Sequence, residues 1–140
     1  MPKVSIIVPV YNVERYIVRS MDSLVNQTLK DIEIIVVNDG STDNSKKLIE
    51  IYQKKYPNKI KLVDKKNGGL SDARNYGLKY ATGDFVAFLD SDDYVEKDMY
   101  QLMYDIAKKE KSDMVECDFF WNYQDKVKTD VGEKYEGTAE

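Results

Sequence analysis

Apolar residues along this chain follow two alternating rhythms. Short, nearly unbroken runs at Val4 to Val10, Ile32 to Val37, Ile60 to Val63 and Asp84 to Leu89 have the pattern of strands buried on both faces. Between them, apolar residues recur at three- and four-residue steps. Val13, Ile17, Met21, Leu24 and Val25 form one helical stripe, and Leu48, Ile49, Tyr52 and Tyr56 form a second. The second helix can open at Ser41 or Thr42, whose hydroxyls suit an N-cap, and ends at Pro57-Asn58. Leu70 to Ala81 reads as a third helix closed by Gly83, and Met99, Leu102, Met103 and Ile106 mark a fourth. Strands alternating with helices, joined by right-handed crossovers, predict an α/β fold: a doubly wound, mostly parallel sheet with helices on both faces. A fifth strand is expected from Asp113 onward, with Phe119 to Tyr123 aromatic and strand-prone. The stretch from Asp125 to Glu140 has little apolar content and reads as a loop or an incomplete hairpin. No internal repeat is visible.

Composition narrows the choice of chemistry more than the choice of fold. With 140 residues, 42% apolar and 33% charged, the chain reads as one ordinary soluble domain with a real core. Its longest apolar run, Val4 to Val10, is interrupted by Ser5 and Pro9 and is too short to cross a bilayer, so no membrane segment is expected. Only Lys3 precedes that run as a cation, which argues against a secretory leader. A single cysteine, Cys117, cannot form an internal disulfide; a reducing cytoplasm and a buried, inert thiol are expected. The absence of histidine removes Ser-His-Asp chemistry and the usual zinc sites. A net charge of −4 without a basic run argues against nucleic acid as a partner.

Three polar patches stand where apolar runs stop: Pro9-Val10-Tyr11-Asn12, Asn38-Asp39-Gly40-Ser41 and Asp90-Ser91-Asp92-Asp93. If the runs are parallel strands, all three meet at one sheet edge, where open α/β folds bind ligands. Oxygen ligands there suit a hard cation, Mg²⁺ or Mn²⁺, holding a phosphate-bearing substrate. Asp39 is placed to accept hydrogen bonds from a ribose or base, although Asn, Asp, Gly and Ser together also make an ordinary turn into a helix. Asp90, Asp92 and Asp93 repel one another unless a cation or hydrogen-bond donors compensate, the plain alternative being a solvated acidic turn. Lys65-Lys66-Asn67-Gly68-Gly69 is either a tight turn or a place where backbone amides approach phosphate oxygens, with Lys66 and Arg74 adding positive charge. Tyr11 can stack on a base or simply pack.

Rival motifs fail. After the first strand the chain reads Pro9-Val10-Tyr11-Asn12-Val13-Glu14, without the glycines of a dinucleotide-binding or Walker loop. Asp39, Ser41, Asp43 and Glu50 echo a calcium loop, but Asn44 replaces its glycine and a strand precedes it.

Taken in order, Pro-Val-Tyr-Asn, Val-Asn-Asp-Gly-Ser-Thr-Asp, Asn-Gly-Gly-Leu-Ser-Asp-Ala-Arg-Asn-Tyr-Gly, Gly-Asp-Phe and Phe-Leu-Asp-Ser-Asp-Asp resemble the motifs of family-2 glycosyltransferases of the GT-A fold, from Val4 to about Tyr123. The resemblance implies a nucleotide-sugar-binding GT-A portion over residues 1–123, Rossmann-like in its nucleotide-binding half, with 124–140 beginning an acceptor-side region or loop. It implies that Asp92 ligates a divalent metal, Mg²⁺ or Mn²⁺, with Asp90 of the same Asp-x-Asp element near the ribose. It also implies that Asp39 bonds the base, usually uracil, that Tyr11 lines it, and that Asn67 and Arg74 lie at or support the diphosphate. Pro9, Val10, Lys66, Gly68 and Ser91 complete the expected nucleotide-sugar site. The implied reaction is a metal-dependent, inverting transfer from a UDP-sugar to a cell-surface glycan acceptor, the catalytic carboxylate being expected beyond Glu140. Glu116 and Asp118 are not adequate substitutes for it. A cytoplasmic location follows, with the inner membrane face the alternative for a full-length protein. A non-catalytic nucleotide-sugar-binding module is the other reading.

Overall fold

The computed structural model describes residues 1–117, 119–123 and 126–130. Four strands, β1 (Val4–Val10), β2 (Ile32–Asp39), β3 (Ile60–Lys65) and β4 (Phe85–Phe88), form one sheet in the order β3-β2-β1-β4, with every pairing parallel. Helices α1 (Ile17–Val25), α2 (Ser45–Lys55) and α3 (Leu70–Leu78) connect them, and α4 (Met99–Glu110) follows. This is the expected doubly wound α/β arrangement.

The buried runs explain the sheet. Ile6, Ile7, Val8, Ile34, Ile35, Val36 and Val37 are fully buried, so both faces of β1 and β2 are covered. On one face Ile7, Ile35, Val37 and Val63 pack with Ala73 of α3, flanked by Tyr76 and Tyr80. Contact there is close enough to require glycine: a Cβ on Gly77 would sit 2.6 Å from Ile7 Cγ2. Helices α1 and α2 pack against each other, burying Ile17, Met21, Leu24 and Ile49. Each such aliphatic side chain contributes about 1.5–3 kcal/mol on leaving water.

Several boundaries move for identifiable reasons. Helix α1 starts at Ile17, because the Val13 amide bonds Ser45 Oγ (2.9 Å) instead of entering a helix. Helix α2 starts at Ser45 and not at a Ser41 or Thr42 cap, since both of those residues bond Asn12. Helix α3 ends at Leu78: the amides of Lys79, Tyr80 and Ala81 bond three residues back, a tighter turn than the α-helix. Gly83 does not close it; its amide donates to Ser5 Oγ (2.7 Å) at the start of β1. Strand β2 extends two residues further than Val37, so Asp39 is its last residue and pairs in register with Lys65.

Connectivity divides the chain into Met1–Gln101 and Leu102–Glu140. Within the second unit, residues 113–117 form no strand, contrary to expectation, and Cys117 is exposed and not buried. Phe119–Tyr123 is a strand as expected, but as β5 it pairs antiparallel with β6 (Lys126–Asp130), a hairpin and not a fifth member of the parallel sheet. Asp118 and residues 124–125 and 131–140 lie outside the described residues.

Candidate functional site

Parallel strands bring their C-terminal ends to one edge, and the register aligns them: Val10 pairs with Asn38, and Asp39 with Lys65. The strand ends and loops at that edge carry Pro9, Val10, Tyr11, Asp39, Lys66, Asn67, Gly68, Asp90, Ser91 and Asp92, and α3 carries Arg74.

The first two loops are laced together. Asn12, with φ +49°, accepts hydrogen bonds at Oδ1 from the Thr42 amide (2.8 Å) and the Asp43 amide (3.3 Å), while its own amide donates to Ser41 Oγ (3.2 Å). The Glu14 amide donates to Asp43 Oδ2 (3.2 Å), and the Asn44 amide to Glu14 Oε2 (3.1 Å). Pro9 and Val10 are buried within β1, whereas the Tyr11 ring is 51% exposed at the edge. Of that patch, Tyr11 and Asn12 are the exposed residues.

Asp39 is buried at the centre of the edge and is already well supplied with donors. Its Oδ1 accepts from Lys65 Nζ (2.7 Å) and the Gly68 amide (2.9 Å), and its Oδ2 from the Gly69 amide (3.0 Å). Burial pushes the Asp39 carboxyl upward, but these hydrogen bonds and the Lys65 charge outweigh it and hold the group below the usual carboxylate range. Lys65 in turn lies 2.5 Å from Asp72 Oδ2. Asn67 Nδ2 donates to the Asp39 carbonyl (3.0 Å), and the Asn67 backbone passes so near Gly40 that a Cβ there would meet Asn67 N at 2.9 Å. Gly40, at φ +76°, is the residue that allows this approach. The Gly68 and Gly69 amides therefore serve Asp39, while Lys66 is exposed. Neighbouring Asn38 donates to Asp64 Oδ1 (2.9 Å), which also pairs with Lys46.

The third patch follows β4. Asp90 Oδ1 lies 2.9 Å from Arg74 Nη2 on α3, so Arg74 reaches the acidic turn, while its Nε is buried without a protein partner. Ser91 is buried, and Asp92 and Asp93 are exposed. Local desolvation, then the Asp92 and Asp90 charges, raise the Asp93 carboxyl above its ordinary value, partly offset by Arg19. Among the described residues no three carboxylate, cysteine or histidine side chains group to enclose a metal.

Two participants escaped the sequence reading. Lys65 enters the sequence analysis only as the first residue of the Lys65–Gly69 segment, turn or phosphate loop, yet it is the counter-ion of Asp39; its register opposite that carboxylate is the available signal. Arg19 lies off the apolar stripe of α1 and donates to the Asp92 carbonyl (3.3 Å), with its guanidinium 4.4 Å from the Tyr94 ring centroid. Nothing in its spacing pointed to that loop.

The sequence that builds this edge, with a buried acid at the end of β2 and an Asp-x-Asp turn after β4, matches a known family. The profile described as "Glycosyl transferase family 2" covers residues 5–137. The chain belongs to that family. Glycosyltransferase family 2 relatives include a protein described as the uncharacterized glycosyltransferase EpsJ of Bacillus subtilis (strain 168), 47% identical over 125 residues, 89% of this chain and 36% of EpsJ. Among solved structures, TarS 1-349 of S. aureus in complex with UDP superimposes with a TM-score of 0.74 at 36% identity, covering 79% of this chain and 33% of that one. The mannosyltransferase PcManGT of Pyrobaculum calidifontis, solved with GDP-Man and Mn²⁺, gives a TM-score of 0.62 at 30% identity over 66% of this chain and 28% of that one. The family-2 chain thus spans little more than a third of the length of EpsJ and about a third or less of these solved chains, and has their GT-A fold. Among its described residues no helix is long and apolar enough to cross a membrane.

Proposed function

We propose that this edge binds a nucleoside diphosphate sugar, a UDP-sugar, as the donor half of a metal-dependent, inverting transfer to a glycan acceptor. The observation that carries this reading is the convergence of Tyr11, Asp39, the Arg74–Asp90 pair and Asp92 at the ends of three parallel strands. In this reading Tyr11 stacks on the base, and Asp39 accepts from it. Arg74 holds Asp90 toward the ribose and adds positive charge on the diphosphate side.

The acidic turn suits a hard divalent cation, Mg²⁺ or Mn²⁺. Desolvation, then its like-charged neighbours, raise Asp93, and the exposed Asp92 leaves room for ligand oxygens to complete a coordination shell that protein carboxylates alone do not fill. Asp92, with the Asp90 oxygen not engaged by Arg74, would hold the ion. Bound there, such an ion offsets the charge of a departing nucleoside diphosphate. The UDP held by TarS and the Mn²⁺ present with PcManGT are consistent with both halves of the proposal.

Calorimetric titration of the chain with UDP, with and without Mn²⁺, tests it. Binding is expected to need the cation and to weaken in Asp92→Ala. Stabilisation at ligand about a hundredfold above Kd should reach about 2.7 kcal/mol. Equal affinity in EDTA, or in Asp92→Ala, would remove the metal from the site.

A further inference from the structure

Among the described residues the largest fully buried polar side chain is that of Gln27, just past the C-terminal end of α1. It has no solvent exposure, and all its polar atoms are engaged by backbone. Its Nε2 donates to the Ser23 carbonyl (3.0 Å) and to the Glu96 carbonyl (2.7 Å), and its Oε1 accepts from the Tyr100 amide (3.3 Å). Next to it, the Thr28 amide donates to the Lys97 carbonyl (2.8 Å). Residues 91–98 have no ladder or helix to satisfy their backbone, so these bonds, with Arg19 on the Asp92 carbonyl, tie the segment along α1. One end of the segment carries the acidic turn, and the other is anchored by Gln27.

We infer that Gln27 is a positioning residue for the acidic turn: by anchoring Glu96 and Tyr100 it holds Asp92 where a cation and a diphosphate can share it. This rests on the donor-binding reading above. A buried amide is the chemistry required, since it donates twice and accepts once in a space that excludes water. An apolar side chain of the same size would take one of two donors from Glu96 O, which keeps the Met99 amide (3.2 Å), and would remove the acceptor that Gln27 gives the Tyr100 amide, so the segment would lose these ties to the end of α1.

The test compares wild type with Gln27→Met, which keeps the volume and removes the polar atoms. Three quantities are read: affinity for uridine, the Mn²⁺-dependent gain in UDP affinity, and amide hydrogen exchange across the segment. Uridine probes Tyr11, Asp39 and the Arg74-held Asp90 without engaging Asp92 or a cation, and should bind both proteins equally. The Mn²⁺-dependent gain should fall about tenfold or more, the usual effect of losing a group that orients a metal ligand. Exchange should accelerate at residues 91–100 and not in β1 or β2. Should Gln27→Met fail to fold, Gln27→Asn, an amide one methylene shorter, is read the same way. A variant that melts earlier but keeps the full Mn²⁺-dependent gain overturns the inference and leaves Gln27 a packing residue. A wild-type chain with no Mn²⁺-dependent gain defeats the donor-metal reading instead. Exchange then decides the positioning role: acceleration confined to 91–100 supports it, and an unchanged segment overturns it.

Discussion

Lys65 at the end of β3 places its Nζ 2.7 Å from the Asp39 carboxylate at the end of β2, the two side chains being 9% and 5% exposed. They are direct register partners in adjacent parallel strands, so the sheet itself sets the pair. The Gly68 and Gly69 amides complete the shell and bend the β3–α3 loop back onto β2. Asp39 thus has a structural duty in addition to any role toward a ligand. Replacing it by alanine should deprive two amides of their acceptor and leave the Lys65 ammonium to Asp72 and the Lys66 carbonyl, at a cost of about 1–3 kcal/mol. Thermal unfolding of Asp39→Ala would reveal this as a clear drop in Tm, and an unchanged Tm would show that the shell is not needed for folding.

The strands and the order of motifs were legible because parallel strands buried on both faces must be apolar nearly throughout, and polar residues then mark their ends. Helix starts were less so. Ser41 and Thr42 have the chemistry of caps, but Asn12, 29 and 30 positions earlier in the chain, takes their hydrogen bonds. A local pattern carries no trace of such a partner. The same holds for the site: Asp39 and Asp90 were visible as acids at strand ends, while their cationic partners depend on register and on α3 packing. The resemblance puts Arg74 at the diphosphate side or in support of it, and its contact with Asp90 depends on how α3 packs.

Acid should destabilise the chain through several carboxylates together. Asp39, Asp64 and Glu33 are each pushed up by burial but held below their ordinary values by hydrogen bonds: Asp39 from Lys65 and two glycine amides, Asp64 from Lys46 and Asn38, Glu33 from Ser5 and Thr82. A carboxyl lowered in the folded state contributes stability above its unfolded value of about 4, and loses it as pH falls through the folded value. Tm should therefore hold between neutrality and about pH 5 and decline below about pH 4. Asp93, raised in the folded chain, works in the opposite direction and should soften the decline. A Tm that stays flat down to pH 2.5 would contradict the hydrogen-bonded shells.

Helix α3 approaches the sheet without slack at one point. Gly77→Ala would place a methyl 2.6 Å from Ile7 Cγ2 and 3.1 Å from Val37 Cγ2, both core atoms with no room to retreat. Alanine normally stabilises a helix relative to glycine by about 1 kcal/mol, so the sign of the change separates propensity from packing. Overpacking should win, with a net loss of about 1–3 kcal/mol. Denaturant unfolding that finds Gly77→Ala as stable as wild type would mean that α3 can slide outward.

Base selectivity is the sharpest test of Asp39 as a ligand-binding group. Its Oδ1 already takes two donors, whereas Oδ2 takes only the Gly69 amide and keeps capacity for one more. The uracil ring offers an imide N–H, and cytosine offers an unprotonated nitrogen at the same position. Facing a carboxylate, the first gains a hydrogen bond and the second leaves two acceptors opposed. UDP should then bind more tightly than CDP by about 1–3 kcal/mol, roughly 5- to 150-fold. In Asp39→Asn the amide cannot present acceptors to Lys65, Gly68, Gly69 and an imide together, so UDP affinity should drop and the UDP/CDP ratio should move toward one. The ratio is the quantity to follow, because a general loss of fold lowers both affinities alike. Competition titrations with wild type that give equal Kd for UDP and CDP would leave Asp39 as a purely structural acid.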